Sequence, residues 1–269
     1  MAKKIAVIAI HGMGDTDRNY AGPLRKNLKS MLTAAQWAKI HFDSIYYQDI
    51  LQDNQRKLFE RSKSQLDGMF LRKFLLYGIS DAAGLEYSRT IPGGVYDISQ
   101  QRIFDVMGKA FQALGEQLAP VVMVAQSLGG QVISNYIWDA HKESVLWGVW
   151  RHQHAGLPPD DKKFRRFETL RTLFTTGCNI PLFVGGLPRR KIKPIAKPND
   201  EFEWKNYFDE DDVLGWPLQP LSKKYGELVE DVAINAGGFF TSWNPLSHTG
   251  YWTDKDFLRP LTAHLKALL

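Results

Sequence analysis

Residues 121–133 read Val-Val-Met-Val-Ala-Gln-Ser-Leu-Gly-Gly-Gln-Val-Ile. Val121 to Val124 is an apolar run rich in β-branched side chains, as a strand buried on both faces requires. From Gly130 to Trp138 the apolar residues return at helical spacing. Between them, Ala125-Gln126-Ser127-Leu128-Gly129 is a small-x-Ser-x-Gly turn, the arrangement of a nucleophile elbow. Such a turn is so sharp that a large side chain at its first or last position would collide with the strand or the helix. Ala125 and Gly129 meet that demand, although Gly is the more usual first residue.

Working outward, Ile5-Ala6-Val7-Ile8-Ala9-Ile10 reads as a second buried strand and runs into His11-Gly12-Met13-Gly14. The spacing of Leu24, Leu28, Met31, Leu32 and Ala35 predicts a helix from about Gly22 to Trp37, and Ile40 to Tyr47 predicts a strand. Strand, loop, helix and strand in that order begin a parallel sheet with right-handed crossovers. Residues 48–96 break the alternation with one or two amphipathic helices, an insertion with its own hydrophobic face. A helix over Asp97–Leu118 returns the chain to Val121. After the elbow helix, 142–165 is a polar excursion, Thr169–Thr176 a strand and 185–200 a loop. Glu203–Phe208 and Val232–Asn235 read as the last strands, and Phe257–Leu269 as a closing helix. The expected fold class is α/β: one domain over 1–269, a mostly parallel sheet flanked by helices, with 48–96 as a helical insertion or cap.

A serine hydroxyl needs a base to take its proton, an acid to orient that base, and donors for the developing oxyanion. If Ser127 is the nucleophile, the acid should follow a later strand and the histidine the last strand. Trp204-Lys205-Asn206-Tyr207-Phe208-Asp209-Glu210-Asp211-Asp212-Val213-Leu214-Gly215 offers the acid, and Trp243-Asn244-Pro245-Leu246-Ser247-His248-Thr249-Gly250-Tyr251-Trp252 the histidine. With these in order, the chain resembles α/β-hydrolases of the lipase/esterase type.

That resemblance implies roles. His11-Gly12-Met13-Gly14 is similar to the family's HGxG oxyanion loop, so the amides of Met13 and Leu128 are the implied donors, with His11 bracing the loop. In many members the acid lies three residues after the Gly or Asp that opens its turn, which gives Asp212. Asp211 is the first alternative, and Asp209 and Glu210 complete the set. His248 is the implied base, and His11, Gln126 and Trp252 are expected at the substrate-binding surface. Thr175-Thr176-Gly177-Cys178-Asn179-Ile180-Pro181-Leu182-Phe183 resembles a stretch that lines the site floor in many lipases; Cys178, with neither elbow nor histidine, is expected to be a buried small residue. The implied reaction is hydrolysis of a small-molecule carboxylic ester through an acyl-serine, with the insertion helping to bind an apolar acyl chain. A thioesterase or peptidase would use the same triad, and a non-catalytic scaffold binding a partner is the reading from another class.

Composition sets the outer limits. The chain has 269 residues, 44% of them apolar, with eight Trp, so it can bury a substantial core. A lone cysteine permits no intramolecular disulfide and fits a reducing compartment, and a cytoplasmic location is the expectation. The six apolar residues from Ile5 are too few for a signal-peptide core. No run reaches the length of a membrane span, so no integral membrane association is expected. The net charge of +5 is mild. Its densest cluster, Arg189-Arg190-Lys191-Ile192-Lys193 with Lys197, lies among prolines and reads first as a solvated loop, with an anion or lipid-headgroup site as the other reading. Basic and aromatic residues do not interleave, so no nucleic-acid partner is expected. No cofactor and no metal is implied, since no ligand cluster has suitable spacing.

Overall fold

The computed structural model describes residues 2–14, 16–50, 52–65, 67, 69–142, 144–145, 147–152, 154–236 and 250–269. Six strands form one parallel sheet: β1 (Ile5–Ile10), β2 (Ile40–Ile45), β3 (Val121–Gln126), β4 (Leu170–Thr176), β5 (Glu203–Phe208) and β6 (Val229–Ala233). Their spatial order is β2-β1-β3-β4-β5-β6. The chain first steps outward from β1 to β2, then returns to the other side of β1 and builds β3 to β6. This reversal creates a switch point between β1 and β3, where the loops leaving the two strands diverge and open a crevice at their carboxyl ends.

The period-2 alternation of the central strands feeds two cores. Ala6, Ile8, Ile10, Val121, Met123 and Ala125 point into one. Ile5, Val7, Ala9, Val122 and Val124 point into the other. Helices α1 (Gly22–Met31) and α10 (Lys255–Leu268) cover the second face. Phe257, Leu258, Leu261 and Leu265 of α10 are buried there, each worth about 1.5–3 kcal/mol by apolar transfer. Helices α5 (Val95–Ala113), α6 (Leu128–Ala140) and α7 (Pro159–Arg165) cover the first. A parallel sheet clad on both faces, with the serine turn leaving a central strand, is a doubly wound α/β fold, as the expected fold class requires.

Four local readings are corrected. The helix expected over Gly22–Trp37 is two, α1 and α2 (Ala34–Ala38), because Leu32 is extended and Thr33 starts a new helix with a reciprocal capping box to Gln36. The excursion over 142–165 ends in α7, whose Pro159 sits in the first turn with Asp160 and Asp161. The last strand begins at Val229, three residues before its expected start, as α9 (Lys223–Leu228) runs directly into it. A short helix, α8 (Ile180–Val184), follows β4. The insertion contains α3 (Gln52–Ser62) and α4 (Met69–Tyr87). No helix among the described residues is long and apolar enough to cross a membrane.

Candidate active site

Sheet register dictates which loops meet. Ile10 pairs with Ala125, so the residues two further on, Gly12 and Ser127, leave the sheet side by side. A Cβ placed on Gly12 would lie 2.6 Å from Ser127 Cβ, so only glycine fits there. On the other side Gln126 pairs with Thr176, and the Ser127 amide donates to Thr176 O at 2.9 Å.

Ser127 has φ 51° and ψ −123°, a conformation that L side chains rarely adopt. Holding it costs on the order of 1–3 kcal/mol, which the surrounding packing must supply. It immediately precedes α6, whose first residue is Leu128. The elbow helix therefore begins earlier than the Gly130 that spacing suggested. Gly129 packs against the β1 loop so closely that a Cβ would lie 2.5 Å from His11 O. Among the described residues the Met13 and Leu128 amides donate to nothing. The Leu128 amide is next to the serine at a helix N-terminus, where the partial positive charge is greatest, and the Met13 amide follows Gly12, which packs against Ser127.

The Ser127 hydroxyl is buried, and Asn179 Nδ2 donates to Oγ at 3.2 Å. Asn179 is itself fully buried, and its Oδ1 has no partner among the described residues. It occupies the N-cap position of α8 without capping it. Sequence reading placed Asn179 in a stretch that lines the site floor but assigned it no role of its own. Next to it, Cys178 is fully buried and its thiol is pushed up to about 12 by burial, the reverse of a reactive thiolate.

His11 is buried and serves the loop. Tyr47 N donates to its Nε2 at 3.1 Å, so the ring proton is on Nδ1, which donates to Gly12 O at 2.7 Å. The Tyr47 ring stacks on it with centroids 4.1 Å apart. Burial lowers its pKa to about 4, so the ring is neutral at pH 7 and acts as a brace.

The acidic turn after β5 divides its labour. Asp209 is buried and accepts the Ala236 amide at 2.7 Å and the Asp211 amide at 2.9 Å, which ties the turn together. Glu210 and Asp211 are exposed. Asp212 is buried: Oδ1 accepts the Leu214 amide at 3.0 Å and Oδ2 the Tyr251 hydroxyl at 2.9 Å. The same hydroxyl accepts the Asp209 amide at 3.0 Å. Burial, then the Asp212 charge, raises the Tyr251 pKa, so the phenol stays a donor. Trp252 is buried, with Nε1 donating to Thr176 Oγ1 at 3.1 Å at the end of β4, and its ring lies 5.8 Å from Tyr20. Gln126 is half-buried at the end of β3. His248 lies outside the described residues.

The insertion reaches the β1 loop through α4. Asp81 Oδ2 accepts the Gly14 amide at 2.9 Å, and Gln48 and Gln55 donate to the same carboxyl. Gly78 lies against the Met13 side chain, where a Cβ would meet Sδ at 2.7 Å. Of the apolar residues that suggested a cap, Tyr77 is buried and Leu75 is exposed, and the side chains of Met69, Phe70, Leu71 and Phe74 lie outside the described set. Among the described residues no group of His, Cys, Asp or Glu could hold a metal ion.

No family model matches this chain, and no curated protein does. Among solved structures it is similar to a protein of Pectobacterium atrosepticum provisionally named a YdeN-like hydrolase, at 11% identity and a TM-score of 0.44, over 99% of this chain and 93% of that one. It is also similar to a variant of SOBER1 from Arabidopsis thaliana, at 11% identity and a TM-score of 0.41, over 98% of this chain and 99% of the other.

Proposed function

We propose that the protein is a serine hydrolase that cleaves carboxylic esters through an acyl-serine. The observation that carries this reading is Ser127 itself, held at positive φ between a strand and a helix N-terminus, with Gly12 of the β1 loop packed against it. Glu116, His154 and Phe167 also have positive φ, but of these four Ser127 alone stands between the end of a strand and the start of a helix. In the proposed cycle Ser127 Oγ attacks the ester carbonyl as His248 takes its proton. The Met13 and Leu128 amides receive the oxyanion, and His248 returns the proton to the leaving alcohol. Water then repeats the sequence on the acyl-serine. Asp212 fixes the tautomer of His248, and Asn179 Nδ2 steers Oγ before attack. His11, Gln126 and Trp252 shape the loops around the substrate.

The test is hydrolysis of a short p-nitrophenyl ester. Loss of even one oxyanion donor costs about 100- to 1000-fold in such sites, so Ser127→Ala should reduce turnover by at least that factor. Full activity in a folded Ser127→Ala protein would refute the reading.

A further inference from the structure

A cavity of about 580 Å³ lies beside the elbow helix, enclosed by α4, α5, α6 and the chain from Phe183 to Ile195. This is within the usual size of small-ligand pockets, about 300–1,000 Å³. Its apolar wall includes Leu85, Leu128, Val132, Trp138, Phe183 and Ile195. Leu128, the residue after Ser127, lines the cavity, whereas Ser127, Met13 and Asn179 do not.

Four charged residues line this cavity: Glu86, Arg89, Lys191 and Lys193. The Arg89 guanidinium lies 3.8 Å from the buried Asp139 carboxylate and 4.0 Å from Glu86, so its charge is answered within the protein. Lys191 and Lys193 have no ion-pair partner among the described residues. Nor are they carried on a loose loop. Lys191 and Lys193 are exposed, whereas Ile192, Pro194 and Ile195 between and after them are buried. The alternation pins the backbone to the core and leaves two unpaired cations, both exposed, on the lining of a cavity whose wall also carries Gln100, Gln131, Ser134 and Asn135. Arg189 and Arg190, of the same basic cluster, do not line the cavity.

We propose that this cavity binds an amphiphile: an apolar chain along α6 ending in a carboxylate or phosphate held by Lys191 and Lys193. Joined to the reading of Ser127 as nucleophile, on which this part rests, it makes the substrate an ester whose acyl chain carries a distal anion. Charge recognition by exposed lysines is screened by salt, with a Debye length of about 8 Å at physiological ionic strength, so binding of the anion should weaken as salt rises.

The experiment is calorimetric titration of the full chain with octanoate, octyl phosphate and the neutral octyl glucoside, each below its micelle concentration. The two anions test the two headgroup chemistries separately. At least one should bind about tenfold or more tightly than octyl glucoside at low salt, and Lys191→Gln/Lys193→Gln should abolish that advantage. Arg189→Gln/Arg190→Gln, which changes net charge equally, should preserve it. Equal affinity for neutral and anionic ligands, or equal losses in the two double variants, would overturn the proposal. If the lysine pair variant does not fold, the single variants serve, each expected to lose about threefold. These titrations need no catalysis, so labelling of Ser127 by a fluorophosphonate reports separately on the hydrolase reading.

Discussion

Asp81 and Gly14, 67 residues apart, are joined by a hydrogen bond of 2.9 Å from the Gly14 amide to the Asp81 carboxyl. It ties α4 of the insertion to the β1 loop that carries the Met13 amide. The partners of this carboxyl are amides, from Gly14, Gln48 and Gln55, and burial raises its pKa. Gln48 Oε1 and Gln55 Oε1 are buried and lack partners among the described residues, so a proton or an amide at position 81 has somewhere to donate.

Asp81→Asn should therefore fold at least as stably as wild type at neutral pH, while Asp81→Ala should lose about 1–3 kcal/mol. A raised folded pKa means that the unfolded chain gives up its proton first. The Asp81 contribution is thus fully present below the ordinary carboxylate range and is lost as pH rises through the folded value. Urea unfolding at several pH values should show that decline in wild type and its absence in Asp81→Asn.

His11 should act in the opposite direction. Burial holds its folded pKa at about 4, below the usual imidazole value of about 6.5, so the unfolded chain binds the proton first as pH falls. Its stabilising contribution is complete above about pH 6.5 and is lost towards pH 4, a change of about 3 kcal/mol. In His11→Asn the level of stability will differ, but that pH-dependent slope should be gone.

The acidic turn gives a sharp contrast. Asp212→Asn should slow ester turnover by about 10³- to 10⁴-fold with little change in KM, as removal of a tautomer-fixing carboxylate does elsewhere. Asp211→Asn should stay within about threefold of wild type, because that side chain is exposed. Asp209→Asn should lower the melting temperature before it lowers the rate, since its carboxylate holds the Ala236 and Asp211 amides.

Asn179 acts on the serine through one hydrogen bond. Asn179→Ala should reduce kcat by about 10- to 100-fold, with KM nearly constant and the fold intact by circular dichroism. Asn179→Asp, which places a carboxylate beside the hydroxyl in a buried site, should be worse than Ala. A purely structural Asn179 would instead change the melting temperature and leave kcat alone.

Much of this arrangement is legible in the chain. The continuous apolar runs Ile5–Ile10 and Val121–Ala125, followed by turns rich in glycine, specify central strands buried on both faces and two loops that meet at the sheet's switch point. Counting three residues from the Asp that opens the acidic turn reaches Asp212, the acid whose carboxylate accepts the Tyr251 hydroxyl. What escaped reading depends on tertiary context. Asn179 belongs to the stretch expected to line the site floor, and only the fold shows that its side chain meets the Ser127 hydroxyl. Asp81 lies in a segment whose helical pattern carries no sign of its distant partner Gly14. Lys191 and Lys193 cannot be told from Arg189 and Arg190 until Ile192 and Ile195 are seen in the core. Thr33 and Gln36 did spell a capping box, and Pro159 with Asp160 and Asp161 a helix start; those local signals were outweighed by the longer apolar pattern on one side and the polar composition on the other.

The central claim is that Ser127 is an activated nucleophile, and the most direct measurement is intact-protein mass spectrometry after exposure to a fluorophosphonate. One adduct per chain, mapped to Ser127 and absent from a folded Ser127→Ala variant, is the expected result. A folded wild-type chain that remains unmodified, or that carries the adduct on another residue, would contradict it.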